Sequence, residues 1–406
     1  MKWQDSTLGE IVKQDGGLIQ TGPFGAQLHQ ADYQSEGIPV IMPKDIADGQ
    51  VSVDSIAHIS EEMANRLERH KIKLRTIVLP RRGEITKRAF IREDQVGWIC
   101  GTGCIKIELD GKKLAPEYLY YFMEQDHVVK WLLQNSVGTT MLNLSAGIVA
   151  KLPVRFPSIK AQHKIASTLS AYDDLIENNR RRMVLLEETA RQLYNEWFVR
   201  LRFPGHEHTR IVDGVPVGWE RKKLGDVAEI NQTNISNSYD GDVEYIDISS
   251  VSPGSIDDTT IYIFRDAPSR ARRVVKHGDI IWSCVRPNRR SHAVIWNPPE
   301  NLVASTGFAV ITPRYLPTSY LYQALTTESF VGYLSNHAKG AAYPAVVSGD
   351  FERAVVTVPI KPLVSAFNEF VEQQMAQSHN LRLQNQKLRT ARDLLLPKLM
   401  SGEIAV

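Results

Sequence analysis

The feature that most constrains this chain is that it repeats itself. Pro116-Glu-Tyr-Leu-Tyr120 returns as Pro317-Thr-Ser-Tyr-Leu-Tyr322, so Tyr118 falls on Tyr320 at a shift of 202 residues. The same shift carries Gly138 onto Gly340, Gly147 onto Gly349, Val154 onto Val356 and Pro157 onto Pro359 in a chain of 406 residues. Upstream the copies drift, as insertions would cause. Trp3-x4-Leu8-Gly9-Glu10-Ile11 still answers to Trp219-x4-Leu224-Gly225-Asp226-Val227, and Thr102-Gly103-Cys104 to Thr306-Gly307-Phe308. A constant offset near half the length means one ancestral unit used twice. The chain is too long for one core, and each copy has room for a mixed domain of about 150 residues followed by a helix.

Within each copy, short β-branched runs punctuated by Gly, Pro, Asn and Asp predict strands. They are Ile38–Ile41, Ile77–Leu79 and Cys104–Leu109 in the first copy, and Tyr245–Ile248, Ile280–Ser283 and Phe308–Ile311 in the second. Short helices follow around Glu117–Leu133 and Tyr320–Leu334. Beyond each domain the apolar spacing alternates 4 and 3 through Ile165, Leu169, Tyr172, Ile176, Asn179, Met183, Leu186, Ala190, Leu193 and Trp197, the seam of a coiled coil. The same shift gives a weaker seam at Phe367, Val371, Gln374, Ser378, Leu381, Asn385, Leu388, Arg392, Leu395 and Leu399. Two helices of about 38 residues, roughly 55–60 Å each, are expected to pair with each other. Asn179 and Asn385 either fix the register of that pair or face solvent where the helices splay.

The expected fold class is therefore α+β: two strand-rich domains separated by two long antiparallel, coiled-coil-like helices, in a pseudo-twofold internal repeat. The expected boundaries are 1–157 and 219–359 for the domains, 158–202 for the central helix, 203–218 for a linker, and 360–406 for the C-terminal helix and tail.

Several chemistries find no support. Cys100, Cys104 and Cys284 are too few and too scattered for a disulfide framework or a four-ligand zinc site, and no metal site is expected. The amino terminus lacks an export signal and no run approaches 18 apolar residues, so a cytoplasmic protein without membrane contact is expected. Asn297-Pro-Pro-Glu300 has a carboxylate where adenine-amino methyltransferases need an aromatic to stack on the flipped base, and reads as a turn. Gly101-Thr-Gly103 also reads as a turn, and His206-Glu-His208 lies in the linker without zinc-ligand spacing. No phosphate-binding loop or nucleophile elbow occurs, and no catalytic residue is nominated.

Charge is informative by its placement. The 48 Lys+Arg nearly cancel the 46 Asp+Glu, but basic residues gather at matched places. Arg66, Arg69, Lys71, Lys73 and Arg75 in the first copy answer to Arg265, Arg270, Arg272, Arg273 and Lys276 in the second. Arg81, Arg82, Lys87 and Arg88 lie in an inter-strand loop matched by Arg286, Asn288, Arg289 and Arg290. Arginine and asparagine make the bidentate contacts that read guanine and adenine edges, and clustered cations neutralise phosphate. Two further loops are candidate readers: Phe24 and Gln27 in Thr21-Gly-Pro-Phe-Gly-Ala-Gln27, and Thr139, Thr140 and Asn143, whose counterpart contains Lys339 and Tyr343. The residue-level reading leaves three classes open: a DNA reader, a DNA-free scaffold or inhibitor of the same clamp shape, and a methyltransferase-like enzyme.

The residues also resemble a known family, the specificity subunit of type I restriction-modification systems. The resemblance rests on Leu152-Pro-Val-Arg-Phe-Pro157 leading into Gln162-His-Lys-Ile-Ala-Ser-Thr-Leu169 and Asp173-Asp-Leu-Ile-Glu-Asn-Asn179. It continues through Trp197-Phe-Val-Arg-Leu-Arg-Phe-Pro-Gly-His-Glu207 and Gly214-Val-Pro-Val-Gly-Trp219 to the closing Leu394-Leu-Leu-Pro-Lys-Leu-Met-Ser-Gly-Glu-Ile404. Where the family often has Glu-Gln this chain has Ala161-Gln162, and the second copy lacks the pair. The resemblance implies a non-catalytic subunit with one target-recognition domain for each half of a bipartite, asymmetric double-stranded DNA site, the helices acting as a ruler. It implies two modification (methyltransferase) subunits bringing S-adenosylmethionine, and restriction subunits bringing ATP with Mg for translocation and cleavage. This chain itself would hold no cofactor.

Overall fold

The computed structural model describes residues 3–47, 49–138 and 142–405. Two compact units emerge, Met1–Glu177 with Gln386–Val406, and Asn178–Asn385. Both boundaries fall inside long helices, so each unit consists of one strand-rich domain and parts of both helices.

In the first unit one antiparallel sheet has the order Leu18–Thr21, Cys104–Glu108, Ile77–Pro80, Ala89–Phe90. The continuous apolar run at Ile77 follows from burial on both faces. Ile77, Leu79, Ile105 and Ile107 pack under the helices with Tyr118, Leu119 and Ile165, while Val78 and Cys104 face a second core with Ile41 and Ile72. A second sheet has the order Ile99–Cys100, Ile38–Ile41, Ala57–Ile59, Tyr33–Gln34, its first pair parallel.

The second unit repeats this plan. One sheet runs Ala228–Ile230, Phe308–Pro313, Ile280–Ser283, His292–Val294, and the other runs Thr260–Ile263, Asp242–Ile246, Leu302–Ser305, Ala271–Val274, again with one parallel pair. Ile280, Trp282, Ala309 and Ile311 lie on the helical side, and Ile281, Phe308 and Val310 on the other.

Each domain begins and ends on one antiparallel ladder. Gln4–Thr7 pairs with Pro153–Phe156, and Glu220–Lys223 with Val355–Val358. The repeated tyrosine has its reason here. Tyr118 donates its hydroxyl to the Arg155 carbonyl at 3.1 Å, and Tyr320 donates to that of Thr357 at 2.8 Å. Both rings are fully buried and use the one polar atom they carry.

The long helices span Ile159–Tyr194, followed by a π-helical turn at Asn195–Val199, and Lys361–Ser401. Pro397 removes one amide donor near the end of the second, on an exposed face where water can replace the bond. All twenty seam positions are buried or half-buried. Within the first unit Ile165, Ala166 and Leu169 share a core with Leu396, Leu399 and Met400, and Asp173 pairs with Arg392 at 2.5 Å. Within the second unit the Asn179 amide donates to the Asn385 amide oxygen at 2.9 Å, and the Tyr194 and Phe367 rings lie 6.0 Å apart. Partner numbers fall along one helix as they rise along the other in each unit, so the pairing is antiparallel. The seam asparagines are buried and paired, not splayed to solvent.

The linker has structure of its own. Phe203 stacks on Trp219 at 5.1 Å, and Ile211–Val212 pairs with Val215–Pro216 across a turn at Asp213-Gly214. No helix among the described residues is long and apolar enough to cross a membrane.

Candidate nucleic-acid interface

The inter-strand turn singled out by its arginines occupies one structural position in both copies. In the first unit it joins Ile77–Pro80 to Ala89–Phe90, and in the second Ile280–Ser283 to His292–Val294. It is anchored alike. The Arg81 amide donates to Gly103 and the Cys284 amide to Gly307, while Leu144 and Val346 donate to the carbonyls of Arg81 and Cys284. This makes Arg81 the counterpart of Cys284, Arg82 of Val285 and Gly83 of Arg286.

Around the first turn three of the nominated segments converge. The Arg81 guanidinium lies 5.2 Å from the centre of the Phe24 ring, and its Nε donates to Asn143 Oδ1 and to the Leu144 carbonyl, both at 3.2 Å. Gln27 braces the Phe24 loop, its amide donating to the Phe24 carbonyl at 2.7 Å. Phe24 remains 54% exposed, so the guanidinium–ring stack stands at the surface. Arg82 is exposed, and among the described residues its side chain has no hydrogen-bond or ion-pair partner. Lys87 pairs with Glu84 at 2.5 Å. Thr139 and Thr140 lie outside the described residues.

Arg88 requires a correction. It is 9% exposed, bonded to Glu124 at 2.9 Å and to the Tyr120 carbonyl at 3.1 Å, and laid over the Tyr120 ring. Its charge is spent inside the domain and does not reach the loop surface. The strand register puts the buried His292 of the second copy at the same place, bonded to the Tyr322 hydroxyl at 3.1 Å. Burial, then the nearby Arg290 charge, holds the His292 pKa down to about 4.

In the second unit the turn carries Arg286, Asn288, Arg289 and Arg290 together. Arg286 stacks on Tyr343 at 4.6 Å and donates to the Ala342 carbonyl at 3.2 Å. Lys339 stands exposed beside it, on the strand bridge to Ala345. Arg290 is paired with Glu328, which raises the arginine pKa and lowers that of the glutamate. Asn288 and Arg289 project into solvent.

The other basic cluster sits on separate elements. Arg66 and Arg69 are exposed on the helical segment Glu61–His70, while Lys71 is half-buried between Asn65 and Glu68. Arg69 donates to the buried His70, whose pKa burial and then Arg69 and Lys106 hold down to about 4. Lys73 pairs with Glu108 at 3.1 Å, and Arg75 forks onto Glu117. In the second unit Arg270 is exposed, Arg272 covers the Phe264 ring at 4.6 Å, and Arg273 bonds Asn234. In each unit this cluster is therefore a mixture of exposed cations and cations already engaged within the domain.

Some residues that hold the frame escaped the sequence reading. Gln162 is fully buried and bonds three backbone groups, and Tyr121 donates to Asp173 at 2.6 Å beside Arg392. An arginine at a seam position was the available signal for the second. The buried thiols offer no nucleophile: burial pushes Cys100 up to about 12 and Cys104 also upward.

The family model for the type I restriction modification DNA specificity domain matches residues 1–188. The type I restriction enzyme MjaIX specificity subunit of Methanocaldococcus jannaschii is 25% identical over 386 residues, which cover 92% of this chain and 88% of that protein. The chain is similar to type I restriction specificity subunits along most of its length. The HindI specificity subunit of Haemophilus influenzae is 22% identical over 391 residues, covering 78% of this chain and 83% of the relative. In fold, this chain is similar to the crystal structure of a type I restriction-modification S subunit from M. genitalium, with a TM-score of 0.58 at 17% identity. That match spans 98% of this chain and 96% of the other.

Proposed function

We propose that this chain is a specificity subunit that reads a bipartite, asymmetric double-stranded DNA sequence, one half-site per strand-rich domain, and contributes no catalytic group of its own. The observation that carries the reading is a recurrence. At one turn in each of two diverged copies, an arginine is laid over an exposed aromatic ring and exposed polar or cationic side chains stand beside it. A stacked guanidinium is pre-organised, and backbone-anchored cations are what phosphate positioning and base reading require. The divergence of the two turns, Arg81-Arg82-Gly83 against Cys284-Val285-Arg286, fits two different half-sites.

Modification subunits would dock on helix faces that the helix pair leaves uncovered. Val184 and Leu185 of the first helix and Leu394 of the second are about two-thirds exposed. S-adenosylmethionine would come with those subunits, and ATP with Mg with the restriction subunits. The test is to map methylation in genomic DNA of cells that express this chain with its modification subunit. A two-part motif that disappears when this chain is omitted is expected. Methylation that does not depend on this chain, or that follows no motif, would overturn the reading and favour a scaffold.

A further inference from the structure

We infer that Asn288 and Arg289 are the base-reading pair of the second domain, and that Arg286 and Arg290 are positioning residues that hold them out. This rests on the DNA-reading function proposed above.

The argument begins with the backbone. Pro287–Arg289 forms a single tight turn of helix, flanked by Arg286 at φ 49° and Arg290 at φ 56°. Both flanks are left-handed, a region that β-carbon-bearing residues adopt at a cost and glycine adopts freely. At the position of Arg286 the first copy does use glycine: Gly83 has φ 76°. The second copy keeps the same conformation with an arginine, so the side chain must return something that glycine would not.

What it returns is rigidity. The Arg286 guanidinium is clamped between the Tyr343 ring and the Ala342 carbonyl, and its amide donates to the Pro344 carbonyl at 2.7 Å. Pro287 is buried, and Arg290 is tied to Glu328 on the neighbouring helix Glu328–His337. Both ends of the turn and its proline are therefore fixed to the domain. The two residues left at the tip, Asn288 and Arg289, are exposed. Among the described residues neither side chain has a hydrogen-bond or ion-pair partner.

These two side-chain types match purine edges: arginine forks onto guanine O6 and N7, asparagine onto adenine N6 and N7. A short turn presenting both at adjacent positions can address neighbouring base pairs in the major groove. The matching turn of the first domain carries no such pair: it continues Gly83-Glu84-Ile85 with Ile85 buried. The two domains thus read by different means.

The test uses the full chain assembled with its modification subunit and maps the methylated motif. Asn288→Ala and Arg289→Ala should each relax one position of the same half-site, one A·T and one G·C, with discrimination there falling roughly 10- to 100-fold. The other half-site should be unchanged. Arg289→Lys keeps the charge and loses the fork, so it should relax the same G·C position while the salt dependence of binding stays at the wild-type slope. Tyr343→Ala should relax both positions, and Tyr343→Phe, which keeps the ring, should restore them. If the wild-type complex writes a defined two-part motif and all tip variants write the same one, the inference is overturned and the proposed function stands. Full discrimination by both Arg289→Ala and Arg289→Lys, with the salt slope lowered in the alanine variant, makes Arg289 a phosphate contact and likewise overturns the inference. If the wild-type complex writes no motif, both readings fall.

Discussion

Gln162 offers the sharpest test of how the first domain is joined to its helix. Its amide oxygen accepts from the Ala115 N–H at 2.8 Å, and its Nε2 donates to the Lys113 carbonyl at 2.8 Å and the Pro157 carbonyl at 2.9 Å. The side chain is fully buried, as is Ala115. Gln162→Leu preserves the volume and abandons one amide and two carbonyls. A buried polar group left without its bond costs about 1–3 kcal/mol. Each carbonyl keeps a second lone pair, and leucine adds apolar burial, so the sum comes to about 3–5 kcal/mol. That is a large share of the ~5–15 kcal/mol that holds a domain folded. Urea unfolding of the full chain should show the transition of the first unit moving to lower denaturant while that of the second stays in place. Hydrogen exchange at the Ala115 amide should lose its protection. The second copy supplies the control. Val364, at the equivalent position, is buried without any such bonds, and Val364→Ala should cost only about 1–2 kcal/mol through a lost packing contact. A loss below about 1 kcal/mol in Gln162→Leu, with the Ala115 amide still protected, would refute the reasoning.

Other outcomes follow from the same geometry. Arg88→Ala should destabilise the first unit by about 2–3 kcal/mol in denaturant titration, because it strands the Glu124 carboxylate. Arg82→Ala should leave stability unchanged and lower the salt slope of DNA binding by about 0.9. Asn179→Leu alone should cost about 1–2 kcal/mol, and adding Asn385→Leu should recover most of it; no recovery in the double variant would rule out the paired amides as the source. His292 binds a proton near pH 6.5 when unfolded and only near 4 when folded, so its contribution is intact at neutral pH and is lost as pH falls from about 6.5 to 4. His292→Gln should therefore shrink the stability difference between pH 7 and pH 5 by about 2 kcal/mol, and an unchanged difference would count against the buried neutral imidazole. If the helices set the spacing of the half-sites, deleting one heptad from each should shorten the spacer by about 3 base pairs, the ~10 Å of lost helix divided by 3.4 Å per pair, without altering either half-site.

The repeat and the helix seams were legible because both are periodic, and periodicity survives divergence. A tyrosine that recurs at 118 and 320 does so because each ring needs the same backbone carbonyl, a constraint that composition cannot blur. Even the polar seam positions carried meaning: Asn179 meets Asn385, and Arg392 meets Asp173. What could not be read was the direction in which a loop cation points. Arg82 and Arg88 are chemically alike and six residues apart, yet one stands in water and the other is buried against Tyr120. Only the strand register, which aligns Arg88 with His292, separates them. Gln162 stood at the helix start as the half of the pair that matches the resemblance, but two of its three partners, Lys113 and Ala115, come from a segment brought near by folding.

The ladders that close each domain, Gln4–Thr7 on Pro153–Phe156 and Glu220–Lys223 on Val355–Val358, have a consequence for heredity. Chain enters and leaves each lobe through one narrow doorway, so everything between the two doorposts is an exchangeable cartridge. A crossover that swaps the contents there must keep four residues of register on either side and, in the first lobe, the contacts of Lys113, Ala115 and Tyr121 with the helix residues Gln162 and Asp173. If each lobe reads its own half-site, a gene of this design gains a new preference on one side in a single recombination that carries the lobe's contacts to the helices with it.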